Sequence, residues 1–284
     1  MKIAITADST IDLTNELLQK YDIKTIPVSI LLGDVEYLDG DITVEEVFNY
    51  VDTNGVLPKT SAINEMRFTE FFEEVLRDYD AIIHFDISSE ASAMYNNAVS
   101  ASKNFNGKVE VIDSRVLSSA IGLLAINARE LLDAGEDYKV VAQKMRERAK
   151  NVQASFVIER LDYLYKGGRC SSLALLGANI LKIRPSILLK DGKMGSHNKY
   201  RGKMDLVVKK YCEDTLKEFN HPDKSRIFIT YTTATEEMVE SAKSIVAEYG
   251  FNEVLITRAG CTVASHCGGN TLGILYINDC FNDW

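Results

Sequence analysis

The sequence predicts an α/β protein of two domains: an N-terminal three-layer α/β/α domain built on a parallel sheet, and a C-terminal domain built on a mixed α/β sheet. Three observations predict it. Short continuous apolar runs alternate with helical patterns through the first half, as expected of strands buried on both faces and joined by crossover helices. The second half carries a tight hairpin signal, Asp191-Gly192, between two strand-like runs. The chain has 284 residues, which suits one large or two modest domains of about 100–200 residues.

Lys2–Ala7 is the first strand, ending in Asp8-Ser9-Thr10. Thr25–Leu32 is the second, Ala81–Ile87 the third, ending in Ser88-Ser89, and Val109–Ile112 the fourth, ending in Asp113-Ser114. Between them, Val44–Val51 reads as a short helix. Phe68, Phe71, Phe72, Val75 and Leu76 recur at helical spacing, and Tyr95–Phe105 and Val116–Leu132 continue the alternation. Val140–Ala149 is a charged helix leading to a boundary near Asn151, which divides the chain into 1–151 and 152–284. Beyond it come a strand at Ser155–Ile158, the hairpin Ile187–Lys190 to Lys193–Met194, and a helix at Asp205–Phe219. A turn at His221-Pro222-Asp223, a strand at Arg226–Tyr231, a helix at Glu236–Tyr249, and strands at Glu253–Thr257 and Gly273–Ile277 complete the pattern.

Composition narrows the function. Hydrophobic residues make up 46% and charged residues 26%, the balance of an ordinary globular chain. A net charge of -9 argues against an extended nucleic-acid or anionic-membrane face, though a local basic patch stays compatible with it. The opening apolar run is broken at Asp8, far short of a signal peptide's core. Val116–Ala128 contains Ser118, Ser119 and Asn127 and reads as a buried helix rather than a membrane span. The five cysteines, Cys170, Cys212, Cys261, Cys267 and Cys280, form no Cys-x-x-Cys pair. That predicts reduced thiols in a cytoplasm and no zinc site.

Three predicted strand ends carry hydroxyls, Ser9-Thr10, Ser88-Ser89 and Ser114, and Thr60-Ser61 precedes the helix bearing Phe68. Each cluster alone reads first as a helix cap, worth about 1 kcal/mol. Together they also suit an anion. With no Gly-x-Gly-x-x-Gly after the first strand and no Walker A sequence, a carboxylate fits better than a diphosphate. Among the histidines, His84 lies in an apolar strand and reads as a core residue, and His221 beside Pro222 as turn surface. His266 opens His-Cys-Gly-Gly-Asn, read as a shaped loop between two strands; a simple glycine turn is the plainer alternative. Leu161 through Ser171 reads as a short helix, a glycine stop, and Arg169 held beyond it next to a small-residue run, Ser171 to Ala178. A fixed guanidinium there suits an anion or a partner's acidic surface.

These segments in order resemble the DegV family of bacterial fatty-acid-binding proteins. The matching residues are Ala-Asp-Ser-Thr at 7–10 with Asp12-Leu13, Thr60-Ser61, Ser88-Ser89 with Ser92 and Tyr95, Asp113-Ser114, Leu161 through Ser171, Arg184-Pro185, and His266 with Gly268. The resemblance implies a long-chain fatty acid held between or inside two α/β domains. A separate ATP-dependent fatty acid kinase subunit would phosphorylate its carboxyl group, and the acyl phosphate would feed phospholipid synthesis. It places Thr60, Ser61 and Ser92 at the carboxylate, and Arg169 and His266 near the same mouth for head-group positioning or kinase docking. It implies a lipid carrier with no catalytic residues, no metal and no cofactor, no nucleic-acid partner, and room for transient membrane contact. The sequence departs from the family at Ala62-Ile63-Asn64, at Ala93 and Met94, and at Gly269 and Asn270. Asn270 can still supply a left-handed backbone, whereas Ala93 and Met94 narrow the head-group space and remove a hydroxyl. Two other readings stay open: an acyl hydrolase or acyltransferase using Ser92 as nucleophile and His266 as base, and a plain interaction protein.

Overall fold

The computed structural model describes residues 1–170 and 183–279. The first half runs β1 (Ile3–Asp8), α1 (Asn15–Lys20), β2 (Ile23–Ile26), β3 (Ser29–Leu32), β4 (Val35–Leu38), α2 (Val44–Asn54) and β5 (Lys59–Ser61). It continues through α3 (Glu65–Val75), β6 (Ala81–Asp86), α4 (Met94–Ser102), β7 (Val109–Asp113), α5 (Ser119–Asp133) and α6 (Tyr138–Arg148). The second half runs β8 (Val152–Val157), α7 (Asp162–Lys166), β9 (Arg184–Lys190), β10 (Lys193–Tyr200) and α8 (Met204–Glu218). Then come β11 (Arg226–Tyr231), α9 (Glu236–Ala247), β12 (Glu253–Arg258), α10 (Cys261–Cys267) and β13 (Leu272–Ile277).

The first sheet has four parallel strands in the order β2-β1-β6-β7. Both faces are covered, which is why its strands read as unbroken apolar runs. Ala4, Ile82 and Val111 meet Phe68 and Phe72 of α3 and Ala98 of α4. On the other face Ile5, Ile83 and Ile112 join the core formed with α5 and α6. The result is the expected three-layer arrangement.

The second sheet has six strands in the order β10-β9-β8-β13-β11-β12. It is mixed: β11 and β12 pair in parallel and its other pairs are antiparallel. Ile227, Ile229, Leu272 and Ile274 cluster with residues of α8 and α9 on one face. The opposite face, with Phe156, Phe228 and Leu275, shares a core with the first sheet. Helix α5 joins the two. Its run Ser119 to Ile126 is fully buried, so an apolar surface on every side fits its place between sheets. At the hairpin, Asp191 and Gly192 take φ of 51° and 81°, the left-handed pair that a two-residue connection requires.

One predicted strand is corrected. Thr25–Leu32 is not continuous: β2 ends at Ile26 and β3 begins at Ser29. Pro27 has no N–H for a ladder, and the Val28 N–H donates to Ser9 Oγ at 3.1 Å instead. The chain thus leaves the parallel sheet and enters a separate antiparallel sheet of order β4-β3-β5. Thr60 and Ser61 belong to β5 in that sheet, while α3 is capped by Asn64, whose side chain accepts from the Arg67 N–H at 2.9 Å. The run Ser171 to Ala178 and Cys280 lie outside the described residues. No helix among the described residues is long and apolar enough to cross a membrane. Cys212, Cys261 and Cys267 are buried free thiols, and Cys170 is buried as well.

Candidate functional site

A cavity of about 540 Å³ opens where the carboxyl ends of β1 and β6 meet β5, α7 and α10. It falls within the usual size of small-molecule sites, about 300–1,000 Å³. Ligands of open parallel sheets bind beyond these strand ends. Thr60, Ser61, Ser92, Arg169 and His266 all line it. Val28, Ile87, Leu117, Leu164, Met194 and Val263 supply its apolar wall. Residues spread over most of the chain therefore form one chamber with a polar group and an apolar lining.

The closest link within that polar group is between Thr60 and His266, whose Oγ1 and Nε2 lie 2.8 Å apart across 206 residues of sequence. His266 sits in the last turn of α10, not in the loop expected from its glycines. The helix was hidden because its N-terminus is capped from far away. Asp12 accepts from the Gly260 N–H at 2.7 Å, and Asp39 accepts from the N–H groups of Cys261 and Thr262 at 2.9 and 3.3 Å. Gly268, with φ of 76°, then ends it. Asn270 adopts φ of 53°, the left-handed backbone expected of it.

His266 Nδ1 is buried and has no hydrogen-bond partner among the described residues. The ring lies against α7: a Cβ added at Gly167 would stand 2.8 Å from Nδ1, so glycine is required here by close approach. Burial, reinforced by the positive charge of Arg169, pushes the imidazole pKa down to about 4. At neutral pH the ring is uncharged and carries one N–H. Arg169 follows the glycine stop as expected; it is exposed, and its Nη1 donates to the Gly167 carbonyl at 2.6 Å. Ser92 Oγ accepts from the Met94 N–H at 3.3 Å, a local cap that leaves the hydroxyl proton free to donate.

Most of the other hydroxyls at strand ends are spent inside the protein. Ser9 donates to Asp39, Ser88 to the Gly192 carbonyl, Ser89 to Asp113 and Ser114 to the Val116 carbonyl. His84 is the expected core residue. It is fully buried, with Nδ1 2.8 Å from Thr6 Oγ1 and Nε2 3.2 Å from Asp86 Oδ2, and burial lowers its pKa to about 4. Sequence reasoning missed Leu164 and Met194 as lining residues. Thr10, one of the strand-end hydroxyls singled out in the sequence, does line the cavity, but its hydroxyl donates to Asp8 at 2.5 Å. Met94 is buried and lines the cavity, whereas Ala93 is exposed at its edge. Among the described residues no cluster of His, Cys, Asp and Glu could hold a metal ion.

Comparison with known proteins places this geometry. A Thermotoga maritima protein named fatty acid-binding protein is 32% identical over 287 residues, covering 96% of each chain. A solved structure from Thermus thermophilus, described as fatty acid binding of a DegV family protein, superposes with a TM-score of 0.88 at 27% identity. It covers 98% of this chain and 100% of its own. A stearic acid-binding protein from Eubacterium ventriosum gives a TM-score of 0.85 at 25% identity, covering 98% and 99%. The family profile described as "Uncharacterised protein, DegV family" matches residues 2–279, and the chain belongs to that family.

Proposed function

We propose that this chain is a carrier that binds a long-chain fatty acid in the cavity of about 540 Å³ and presents its carboxyl group to a separate ATP-dependent kinase subunit. The observation that carries the reading is the convergence of Thr60, Ser61, Ser92, Arg169 and His266 on that apolar-walled chamber. Each buried methylene of an acyl chain contributes roughly 0.8 kcal/mol, so about 14 of them give on the order of 11 kcal/mol before ordering costs. The carboxylate needs donors, because an unpaired buried charge would cancel several kcal/mol of that gain. If His266 Nε2–H donates to Thr60 Oγ1, the Thr60 hydroxyl is turned toward the ligand as a donor, and Ser92 supplies a second. Arg169 stands exposed beside them as a head-group or docking residue.

The chemical step belongs to the partner. A carboxylate oxygen of the bound acid attacks the γ-phosphorus of ATP, the bond to the β-phosphate oxygen breaks, and ADP leaves with an acyl phosphate formed. This chain offers no phosphate loop for ATP. The acyl phosphate then serves phospholipid synthesis in the cytoplasm, a setting supported by the free thiols of Cys212, Cys261 and Cys267. The hydrolase reading needs Ser92 bonded to His266 and a third group orienting the imidazole. His266 is bonded instead to Thr60, and its Nδ1 has no orienting partner among the described residues.

Reconstitution tests the carrier role. With fatty acid, ATP and Mg²⁺, acyl phosphate is expected only when a cognate kinase subunit is added. Ser92→Ala is expected to lower phosphorylation while lipid still co-purifies. Arg169→Ala is expected to leave lipid content intact and impair turnover. Acyl phosphate formed by this chain alone would overturn the assignment.

A further inference from the structure

Behind the Thr60–His266 pair lies a second cavity of about 360 Å³. Thr60, Arg169 and His266 line both chambers, so the pair forms part of the wall between them. Lys59 and Lys166 also line the second cavity, and among the described residues its lining includes no acidic side chain. In a chain of net charge -9, a basin whose described lining has three cations and no carboxylate is a marked local reversal. Lys166 in the last turn of α7 needs no ligand to explain it, since a cation is favoured at a helix C-terminus. The second observation is independent of these lysines. Ser265, only 2% exposed, lines this cavity with its Oγ buried and unpartnered among the described residues, a hydroxyl with a proton to donate. Unpartnered buried polar atoms are costly unless a ligand satisfies them.

We propose that this basin is a phosphoryl-group site: it holds the phosphate of an acyl phosphate whose chain occupies the larger cavity. The inference rests on the fatty-acid reading above. A bound carboxylate carries one negative charge, which Thr60, Ser92 and Arg169 already meet. Phosphorylation adds a group of nearly two negative charges with three strong acceptor oxygens. That group is displaced outward by one bridging oxygen, toward a compartment that shares Thr60 and His266 with the first. Lys59 and Lys166 supply the additional positive charge, and Ser265 the additional hydroxyl.

The test compares three probes on wild type and on the Lys59→Ala/Lys166→Ala double variant, whose substituted side chains are exposed. The probes are palmitic acid, the ketophosphonate isostere of palmitoyl phosphate in which a methylene replaces the bridging oxygen, and inorganic phosphate. The double variant is expected to lose at least about tenfold in affinity for the ketophosphonate while palmitic acid affinity changes by less than about threefold. Inorganic phosphate is expected to bind far more weakly than the ketophosphonate. Equal losses for both lipids, or no loss for either, would overturn the phosphoryl site while leaving the fatty-acid reading intact. Inorganic phosphate binding as tightly as the ketophosphonate would make this a free-anion site and overturn the acyl phosphate assignment. If wild type binds no palmitic acid, the fatty-acid reading fails and this inference falls with it.

Discussion

His266 Nε2 and Thr60 Oγ1, 2.8 Å apart, tie the last turn of α10 to the edge of a small antiparallel sheet at the wall of the main cavity. The bond fixes which way the Thr60 hydroxyl can point, and so whether a donor faces the chamber.

Thr60→Val and His266→Ala are each expected to weaken fatty-acid binding by about 1–3 kcal/mol, because the first removes a donor to a desolvated carboxylate and the second releases the hydroxyl that the imidazole orients. Their effects are expected not to add. A double-mutant cycle on fatty-acid affinity should give a coupling of about 1 kcal/mol. Additive losses would mean that the two residues act separately.

Gly167→Ala tests the packing behind the histidine. The backbone there is ordinary, with φ of -68°, so the cost comes only from space. The new methyl would stand 2.8 Å from His266 Nδ1 and 2.9 Å from the Tyr163 carbonyl. A loss of about 1–3 kcal/mol in stability is expected, together with weaker fatty-acid binding, measured by denaturant unfolding and ligand titration. Unchanged binding would show that the position of the imidazole does not matter.

The pH dependence of stability has a defined shape. Burial, then repulsion from Asp86, raises the Asp8 pKa to about 7, and burial raises that of Asp86 to about 8. In the unfolded chain both ionise near pH 4, so between about pH 4 and 8 the native state binds more protons and stability falls as pH rises. His84 and His266, each lowered by burial from 6.5 to about 4, act oppositely, but only below about pH 6.5. Melting temperature is therefore expected to fall from pH 6.5 to 8. Asp86→Asn, fixed in the neutral form, should fall less over that interval. An equal decline in both proteins would contradict the assignment.

The fold was legible wherever the signal is local. Continuous apolar runs marked β1, β6 and β7, and Asp191-Gly192 marked the hairpin, because strand burial and turn backbone are written in neighbouring residues. An all-round apolar surface likewise marked α5 as a buried helix. What escaped depends on distant partners. Pro27 lies in an apolar stretch, and only the separate pairing of β3 with β4 and β5 shows the break it makes. The helical turn of His266 depends on Asp12 and Asp39, more than 200 residues away. Thr60, Ser61, Arg169 and His266 stood out as candidates in the sequence, but their roles, and Ser92 itself, came from the family resemblance. Their hydroxyls look no different in sequence from those of Ser9, Ser89 or Ser114, which cap and brace the strand ends.

Mass spectrometry of lipid released from the denatured protein bears most directly on the carrier role. Protein purified from a bacterial host is expected to release a long-chain fatty acid in near-stoichiometric amount, since the hydrophobic gain of about 11 kcal/mol exceeds the losses of handling. Protein that yields no fatty acid on repeated extraction, and takes none up when it is added back, would contradict the account.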